Sequence, residues 1–346
     1  MRILAIETSC DETAAAVVEN GHKIISNVVA SSSEIHEKTG GIIPEIAARE
    51  QVKCIIPVIN EAMKPFDALA VTIGPGLNGS LLVGTEAAKT ISYVTGKPVI
   101  PVNHVIAHIY ANWLLESDKD SSVKFPAVAL VVSGGHTELF LMTSETKLRW
   151  LGGTRDDAAG EAFDKTARLL DLGFPGGPAI AAEAAMFTVQ SSKFKVKLPR
   201  PMMEEENLEF SFSGLKTAVM REVTKLKEIG QFNRLTIQQL SYEIQESITD
   251  VLVSKTLKAT TQFNAKSILL GGGVAANKRL KEKFQSTLRQ NSGQAINNQQ
   301  STINLHIPSP NLCTDNAAYI ASYAYFHNKP VPWQKIQSRP DLRVEV

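Results

Sequence analysis

The chain has 346 residues, of which 43% are hydrophobic and 21% charged, and a formal net charge of +1. This size and mix predict one large or two medium globular domains. The near-neutral charge argues against a strongly basic coat for nucleic acid but leaves room for a local basic patch. Three distant cysteines indicate neither a disulfide framework nor a thiolate zinc site. Since no apolar run approaches ~18–20 residues and no leader precedes the first strand, we expect a cytoplasmic protein without a membrane segment.

Two predicted hairpins share one design. Residues 3–8 and 14–18 have the pattern of buried strands, and the polar turn SCDET joins them. Residues 127–142 repeat the arrangement as strand AVALVV, turn SGGHT and strand ELFLM. Either one alone could be a plain hairpin, but two copies about 125 residues apart predict an internal duplication. Such turns expose N–H groups and hydroxyls, the donors that phosphate oxygens need.

Glycine-rich segments follow two predicted strands and one predicted helix. Residues 74–79 formally match the G-x-G-x-x-G dinucleotide fingerprint, but the acidic residue expected about 20 residues later is missing. Thr85 stands where the lysine of a Walker loop belongs. The segments GFPGGP (173–178) and GGGVAAN (271–277) allow a backbone or a flat ligand to approach closely.

The segment PVNHVIAH contains two histidines four residues apart, His104 and His108. On a helix their Cβ atoms would be roughly 5–6 Å apart on one face, close enough to share a metal ion. Asn103 is the predicted N-cap. The positive end of the helix dipole should disfavour protonated His104, so we expect a neutral imidazole ready to bind a metal. A pair of ordinary helix histidines is the alternative for this spacing alone.

Local sequence patterns predict the structure of four other segments. Residues 158–170 should be helical, with an ion-paired face. Residues 191–200 carry alternating lysines, which predicts either a phosphate track or a solvated edge strand. The Gln/Asn/Ser-rich stretch 286–304 lacks periodicity and predicts a mobile surface loop. A last helix should begin at Thr314 or Asp315 as N-cap.

Ten of these segments, in order, resemble the TsaD family of tRNA N6-adenosine threonylcarbamoyltransferases. They are IETSCDET, GGIIPEIAARE, GPGLNGSLLVG, PVNHVIAH, LVVSGGHTEL, DDAAGEAFDKTARLL, PGGP, FSFSGLKT, GGGVAAN and CTDNAAYIA. The resemblance implies an α/β fold of the actin/Hsp70 type (ASKHA), with two ribonuclease H-like domains and a ligand cleft between them. The implied domains are residues 1–112 with 314–346, and residues 113–313; the polar stretch 117–122 is a candidate junction.

The resemblance also implies the site residues. His104 and His108, with Asp315, would bind one divalent metal ion, Fe²⁺ or Zn²⁺. Glu12 is a candidate for orienting or deprotonating the acceptor amine. The positions that match donor or nucleotide contacts are Val131, Val132, Ser133, Gly134, Gly135, Asp164, Gly177, Gly272, Gly273 and Asn277.

The implied reaction moves a threonylcarbamoyl group from threonylcarbamoyl-AMP to N6 of adenosine 37 in tRNAs that read ANN codons, and AMP leaves. ATP or ADP could occupy the same nucleotide site. The implied partners are the tRNA substrate, TsaB as an actin-like partner and TsaE as an ATPase. A separate threonylcarbamoyl-AMP synthase would supply the donor.

Three positions depart from the family pattern, and three rival functions are open. Val131 stands where some members have a tyrosine ligand, Ala181 where many have an acid, and Gln51 where histidine is usual, for which the sequence offers no reason.

One rival function is that of a kinase or acyl-phosphate enzyme of the same fold. A metalloprotease is another, although no HExxH is present and Val105 stands where the glutamate base would be. The third is a non-catalytic tRNA-binding scaffold, against which the near-neutral charge speaks.

Overall fold

Two mixed five-stranded sheets carry the fold. The computed structural model describes residues 1–114, 122–187, 196–294 and 303–344, and the chain divides into two units. Unit 1 comprises Met1–Ser122, Ser144–Leu148 and Ile307–Val346, and unit 2 comprises Val123–Thr143 and Arg149–His306. Among the described residues, no helix combines the length and apolar character needed to cross a membrane.

Strands and helices alternate along much of the chain. Unit 1 begins with β1 (Arg2–Glu7), β2 (Glu12–Glu19), β3 (Lys23–Ser31), α1 (Ser33–Thr39), α2 (Pro44–Ala62), β4 (Ala68–Gly74), α3 (Asn78–Thr95), β5 (Val99–Asn103) and α4 (His104–Ala107), which continues as a 3₁₀ helix over His108–Trp113. The next elements, mainly of unit 2, are β6 (Ala127–Val132), β7 (Thr137–Ser144), β8 (Lys147–Gly153), α5 (Ala159–Leu169), α6 (Gly176–Ala185), α7 (Ser213–Glu228), α8 (Arg234–Gln262), β9 (Ser267–Gly271), a 3₁₀ helix over Gly273–Ala276, α9 (Lys278–Gln294) and β10 (Asn304–His306). The chain returns to unit 1 with α10 (Pro310–Cys313), α11 (Ala317–Phe326) and a 3₁₀ helix over Trp333–Lys335.

The two sheets have the same strand order. It is β3-β2-β1-β4-β5 in unit 1 and β8-β7-β6-β9-β10 in unit 2. In each sheet the first two strands form an antiparallel hairpin, and the fourth strand runs parallel to the first. Both predicted hairpins are therefore confirmed, and the shared order supports the predicted internal duplication.

Strand β1 is buried on both faces, which explains its continuous apolar run. Ile3 and Ala5 pack in a cluster with α11, whereas Leu4 and Ile6 pack in a cluster with α2. Because side chains alternate along a strand, Glu7 continues the series of Ile3 and Ala5. The alternation therefore directs a carboxylate to the side of the sheet that α11 covers.

The Gln/Asn/Ser-rich stretch 286–304 is not a loop throughout. Residues 286–294 continue α9, and residues 295–302 lie outside the described part. The helix is anchored one turn earlier by Leu280 and Phe284, which are both 0% exposed. Packing of this i,i+4 pair overrides the weak helix propensity of the polar residues that follow.

Two further predictions concern the lysine-rich stretch 191–200 and the start of the last helix. Residues 191–195 lie outside the described part, as do residues 115–121 of the candidate junction, and residues 196–200 form no strand. The last helix begins at Ala317 with Asn316 as its N-cap, so the prediction of Thr314 or Asp315 was wrong. The Asn316 side chain reaches the free N–H groups of the first turn because it lies directly before that turn.

Candidate functional site

The histidine pair begins where β5 ends. Asn103 Oδ1 accepts hydrogen bonds from the backbone N–H groups of Val105 (3.0 Å) and Ile106 (3.2 Å), which confirms the predicted N-cap. His104 opens α4, and His108 follows one turn later. Their ring centroids are 4.7 Å apart, so the helical spacing brings the two imidazoles together as predicted.

Asp315 joins the two histidines from a distant part of the chain. It directly precedes the N-cap of α11, and its Oδ1 lies 3.7 Å from His104 Nε2 and 3.4 Å from His108 Nε2. The three candidate ligand atoms all lie within 4.8 Å of one another. These three residues, called the His–His–Asp cluster below, could hold one metal ion.

The surroundings of His108 fit a cation. The side chain is 1% exposed, and neither ring nitrogen has a hydrogen-bond partner within the described residues. Unpaired buried nitrogens are costly, and coordination to a metal would satisfy one of them. Two imidazoles and one carboxylate suit zinc or iron and leave coordination positions open.

A second carboxylate, that of Glu7, contacts the ring nitrogen Nδ1 of His104. Glu7 is 0% exposed, and its Oε2 lies 3.1 Å from His104 Nδ1, while Ser9 Oγ lies 3.2 Å from the same nitrogen. Thr72 Oγ1 donates to Glu7 Oε2 (2.5 Å). A carboxylate on the far nitrogen of a metal-binding histidine fixes the ring orientation and strengthens the ligand. We missed Glu7 in the sequence, although a glutamate at the end of the apolar run ILAIE was an available signal.

The charges of the cluster modify the prediction of a neutral His104. Burial lowers the pKa of His104, but the carboxylates of Glu7 and Asp315 outweigh it and raise that pKa to about 9. Without a cation, His104 therefore holds its proton more readily than the helix dipole alone suggests, since two nearby carboxylates outweigh the dipole of a one-turn helix. Burial lowers the pKa of His108, and the two imidazoles hold the pKa of Asp315 well below its usual range against the effect of burial. The carboxylates thus favour positive charge at the imidazole pair.

Glu12, the candidate base, opens β2 in the same unit. Burial, and next the charges of Asp315 and Asp11, raise its pKa well above the ordinary range. Ser31 Oγ donates to Glu12 Oε1 over 3.5 Å. The carboxyl group therefore holds a proton more readily than an exposed glutamate does.

The β6–β7 turn in unit 2 is open. Ser133 N–H donates to His136 O (2.9 Å), and the N–H of Gly160, in the first turn of α5, donates to Ser133 O (3.1 Å). A Cβ atom added at Gly134 or Gly135 would meet nothing within 4 Å. Of the other predicted contacts here, Val131 and Val132 are 0% exposed, so the structure buries both residues completely at the end of β6.

The remaining predicted residues of unit 2 affect how the backbone packs near the β6–β7 turn. Asp164 Oδ1 accepts a hydrogen bond from Gly176 N–H (2.7 Å) at the start of α6. Gly272 has a φ of +89°, and a Cβ there would collide with the carbonyl oxygen of Val132. At Gly177 and Gly273 an added Cβ would meet nothing within 4 Å. Of the predicted glycines, Gly272 thus packs backbone on backbone, whereas Gly177 and Gly273 leave space for a ligand.

Asn277 makes structural hydrogen bonds with both ends of its amide. Its Oδ1 accepts from Leu280 N–H (3.1 Å) at the start of α9, and its Nδ2 donates to Gln245 Oε1 (3.2 Å). The side chain therefore links α8 to α9 and stabilises the end of the GGGVAAN turn.

The fold places the chain in the actin-like (ASKHA) class. The structure of full-length HypF in the phosphate- and nucleotide-bound form matches with a TM-score of 0.57 and 10% identity, over 96% of this chain and 47% of that one. The structure of T. kodakarensis HypF matches with a TM-score of 0.56 and 13% identity, over 94% and 47%. At these identities the likeness concerns the fold alone, and it confirms the predicted fold class.

Within that class, the chain belongs to the TsaD family, tRNA N6-adenosine threonylcarbamoyltransferase, whose model matches residues 23–322. The relative of that name from Syntrophomonas wolfei is 45% identical over 94% of this chain and 92% of its own length. The relatives from Geobacillus thermodenitrificans and Bacillus subtilis are 47% and 46% identical, over 92% and 93% of this chain and 90% and 89% of their own lengths. The resemblance found from ten ordered motifs is confirmed, and the chain is a transferase of this family.

Proposed function

We propose that this chain transfers the threonylcarbamoyl group of threonylcarbamoyl-AMP to N6 of adenosine 37 in tRNAs that read ANN codons. The observation that carries the proposal is the buried His–His–Asp cluster in a chain of this family. The relatives named above bear the name of this activity.

The cluster is proposed to hold Fe²⁺ or Zn²⁺, with His104, His108 and Asp315 as its protein ligands. When bound, such a cation supplies a Lewis acid with open positions, which can polarise and orient the carbamoyl group of the donor. Glu7 and Ser9 engage His104 through Nδ1. This contact leaves Nε2 for the cation and holds the ring in one orientation.

Unit 2 is proposed to bind the AMP portion of the donor, and ATP or ADP in the same place. The hydroxyl of Ser133 and the N–H groups of Gly134 and Gly135 are donors suited to phosphate oxygens. The open glycines Gly177 and Gly273 can lie against the nucleoside without side-chain interference. The buried Val131 and Val132 hold the end of β6 from which the turn begins. Asp164, Gly272 and Asn277 act by shaping this backbone, since their contacts are to neighbouring residues.

In the proposed reaction, the adenosine N6 atom attacks the carbamoyl carbon, and the bond from that carbon to the phosphate oxygen breaks. AMP leaves with the electron pair of this bond, and N6 loses one proton. We assign this proton to the carboxylate of Glu12, because burial raises its pKa and so makes the carboxylate a stronger base.

The proposed partners are tRNA, TsaB, TsaE and a separate threonylcarbamoyl-AMP synthase. The proposed location of the reaction is the cytoplasm. Exposed apolar side chains on α2 and α3 offer unit 1 a surface for a protein partner such as TsaB. Val52 and Ile56, one turn apart on α2, are 62% and 61% exposed, and Leu82 on α3 is 43% exposed.

The test is a reconstitution followed by nucleoside mass spectrometry. The chain is incubated, with and without TsaB and TsaE, with threonine, bicarbonate, ATP, the synthase and unmodified tRNA. We expect threonylcarbamoyladenosine to form, and to be lost when the synthase is omitted or when His108→Ala replaces the wild type. Absence of the modified nucleoside with every partner present would overturn the proposal. A kinase of the same fold would instead act independently of His108.

A further inference from the structure

Gln51 is buried where α2 passes the β1–β2 turn. Its side chain is 1% exposed, and its Nε2 donates to the carbonyl oxygens of Cys10 (3.0 Å) and Glu12 (2.9 Å). Its Oε1 has no hydrogen-bond partner within the described residues. The amide therefore acts through its two N–H donors. Its two shorter bonds end on the turn, and a longer contact of 3.5 Å reaches Thr8 O just before the turn.

The turn that Gln51 holds carries two groups of the proposed site. Ser9 contacts His104 (3.2 Å), and Glu12 is the proposed base. The turn has other supports: Leu77 N–H donates to Ser9 O (2.8 Å), Ser80 Oγ donates to Cys10 O (2.9 Å), and Ser32 Oγ donates to Asp11 O (2.9 Å). Gln51 extends this support to the backbone of Glu12 itself, from the α2 side.

We propose that Gln51 is a positioning residue for the transfer reaction, holding the Cys10–Glu12 backbone so that the Glu12 carboxyl group keeps its orientation. This inference rests on the proposed function. Gln51 provides none of the three candidate metal ligands, so its removal should disturb the orientation of Glu12 more than the binding of the cation.

The chemistry of the two bonds predicts which replacements succeed. Methionine matches the shape of glutamine but removes both N–H donors, so Glu12 O loses the bond from Gln51 and Cys10 O keeps only the bond from Ser80. A neutral histidine has one N–H donor and can therefore keep one of the two bonds. Histidine should restore part of what methionine loses.

The experiment compares wild type, Gln51→Met, Gln51→His and the control Gln285→Met, an exposed glutamine on α9. Transfer kinetics are measured in the reconstituted system, with Zn²⁺ affinity by calorimetry and hydrogen–deuterium exchange of residues 8–13. For Gln51→Met we expect kcat to fall about 10- to 100-fold, the range for residues that support ligands or reacting groups. KM for tRNA and Zn²⁺ affinity should stay within about threefold, and exchange of the turn should rise. Gln51→His should recover part of the lost kcat and part of the lost protection from exchange.

Two results would overturn the positioning role. One is turn exchange in Gln51→Met equal to that of wild type, which can be read even if no transfer is detected. The other is a Gln51→His variant as impaired as Gln51→Met, in kcat or in exchange. An inactive wild type would instead contradict the proposed function, so the two failures are distinguishable.

Discussion

The β1–β2 turn of unit 1 and the β6–β7 turn of unit 2 occupy the same position in sheets of the same strand order, yet their surroundings differ. The first turn is held by side chains of neighbouring helices, as the bonds from Gln51 and Ser80 to Cys10 O show. At the tip of the second turn, an added Cβ at Gly134 or Gly135 would meet empty space. The same hairpin arrangement thus lies beside a buried, charged cluster in unit 1 and ends in an open, glycine-containing turn in unit 2.

The difference comes from what the adjacent elements contribute. In unit 1, α4 and the residue before the N-cap of α11 bring two imidazoles and a carboxylate to the end of the sheet. In unit 2, the starts of α5 and α6 bring glycines, Gly160 and Gly176, whose missing side chains let backbone pack on backbone. We infer that the duplicated fold sets where ligands bind, and that the residues at the helix starts set which ligand binds.

The largest expected effect comes from breaking the charged site. His108→Ala should abolish stoichiometric cation binding and lower the transfer rate by about 1,000-fold, because a Lewis acid contributes several kcal/mol. Elemental analysis of the purified protein and mass spectrometry of the tRNA measure the two effects. His306→Ala, at a histidine of β10, is the control, and equal activity of the two variants would contradict the metal site.

The next largest effect concerns the stability of unit 2 at Gly272, beside the β6–β7 turn. Gly272→Ala should destabilise unit 2 by about 2–4 kcal/mol, since a positive φ and a collision with the Val132 carbonyl oppose any Cβ there. Gly273→Ala, where the space is open, should cost less than about 1 kcal/mol. Urea unfolding compares the two neighbours, and equal midpoints would show that Gly272 is not needed for its conformation.

A smaller effect on cation affinity is expected from Glu7, which contacts the proposed ligand His104. Glu7→Gln keeps a hydrogen-bond acceptor near His104 Nδ1 but removes the charge, so cation affinity should fall about 10- to 100-fold. Calorimetric titration with Zn²⁺ measures the change. Glu19→Gln, which alters only the ion pair with Arg2 at the other end of the hairpin, is the matched control and should bind as wild type does.

The smallest effect is a dependence of stability on pH in unit 2. Burial raises the pKa of Glu138 to about 7, although the hydrogen bond from Trp150 Nε1 opposes the shift. Since an unfolded glutamate has a pKa of about 4.3, the folded state loses stability as pH rises from that value to about 7 and then levels off. Glu138→Gln should match wild type below this window and exceed its stability by about 1–3 kcal/mol at pH 8. A difference that is the same at pH 4 and pH 8 would contradict this account, and the exposed Glu282→Gln provides the baseline.

Much of the architecture was predictable because it depends on local patterns. The two hairpins, the strand before GGGVAAN and the N-cap Asn103 follow from alternation and from turn and capping chemistry. The start of α11 was missed by one or two residues because Thr314, Asp315 and Asn316 are all good capping residues, and only the observed hydrogen bonds to Asn316 distinguish them.

The site itself depended on contacts that no local pattern contains. Asp315 reaches His104 across more than half the chain, and only the family resemblance connected them before the structure. The sequence reasoning about the pKa of His104 considered only the helix dipole and left out the buried carboxylate of Glu7, which raises that pKa. Gln51 had no interpretation until its two donors were seen to meet Cys10 and Glu12.

The most direct test of the contrast between the two turns is a pair of calorimetric titrations, with Zn²⁺ and with AMP, on wild type, His108→Ala and Gly134→Ala. We predict that His108→Ala loses Zn²⁺ but binds AMP as wild type does. Gly134→Ala should bind Zn²⁺ normally and AMP at least about tenfold more weakly, a loss of about 1.4 kcal/mol. Unchanged AMP affinity in Gly134→Ala, or loss of AMP binding in His108→Ala alone, would contradict the division of roles between the two turns.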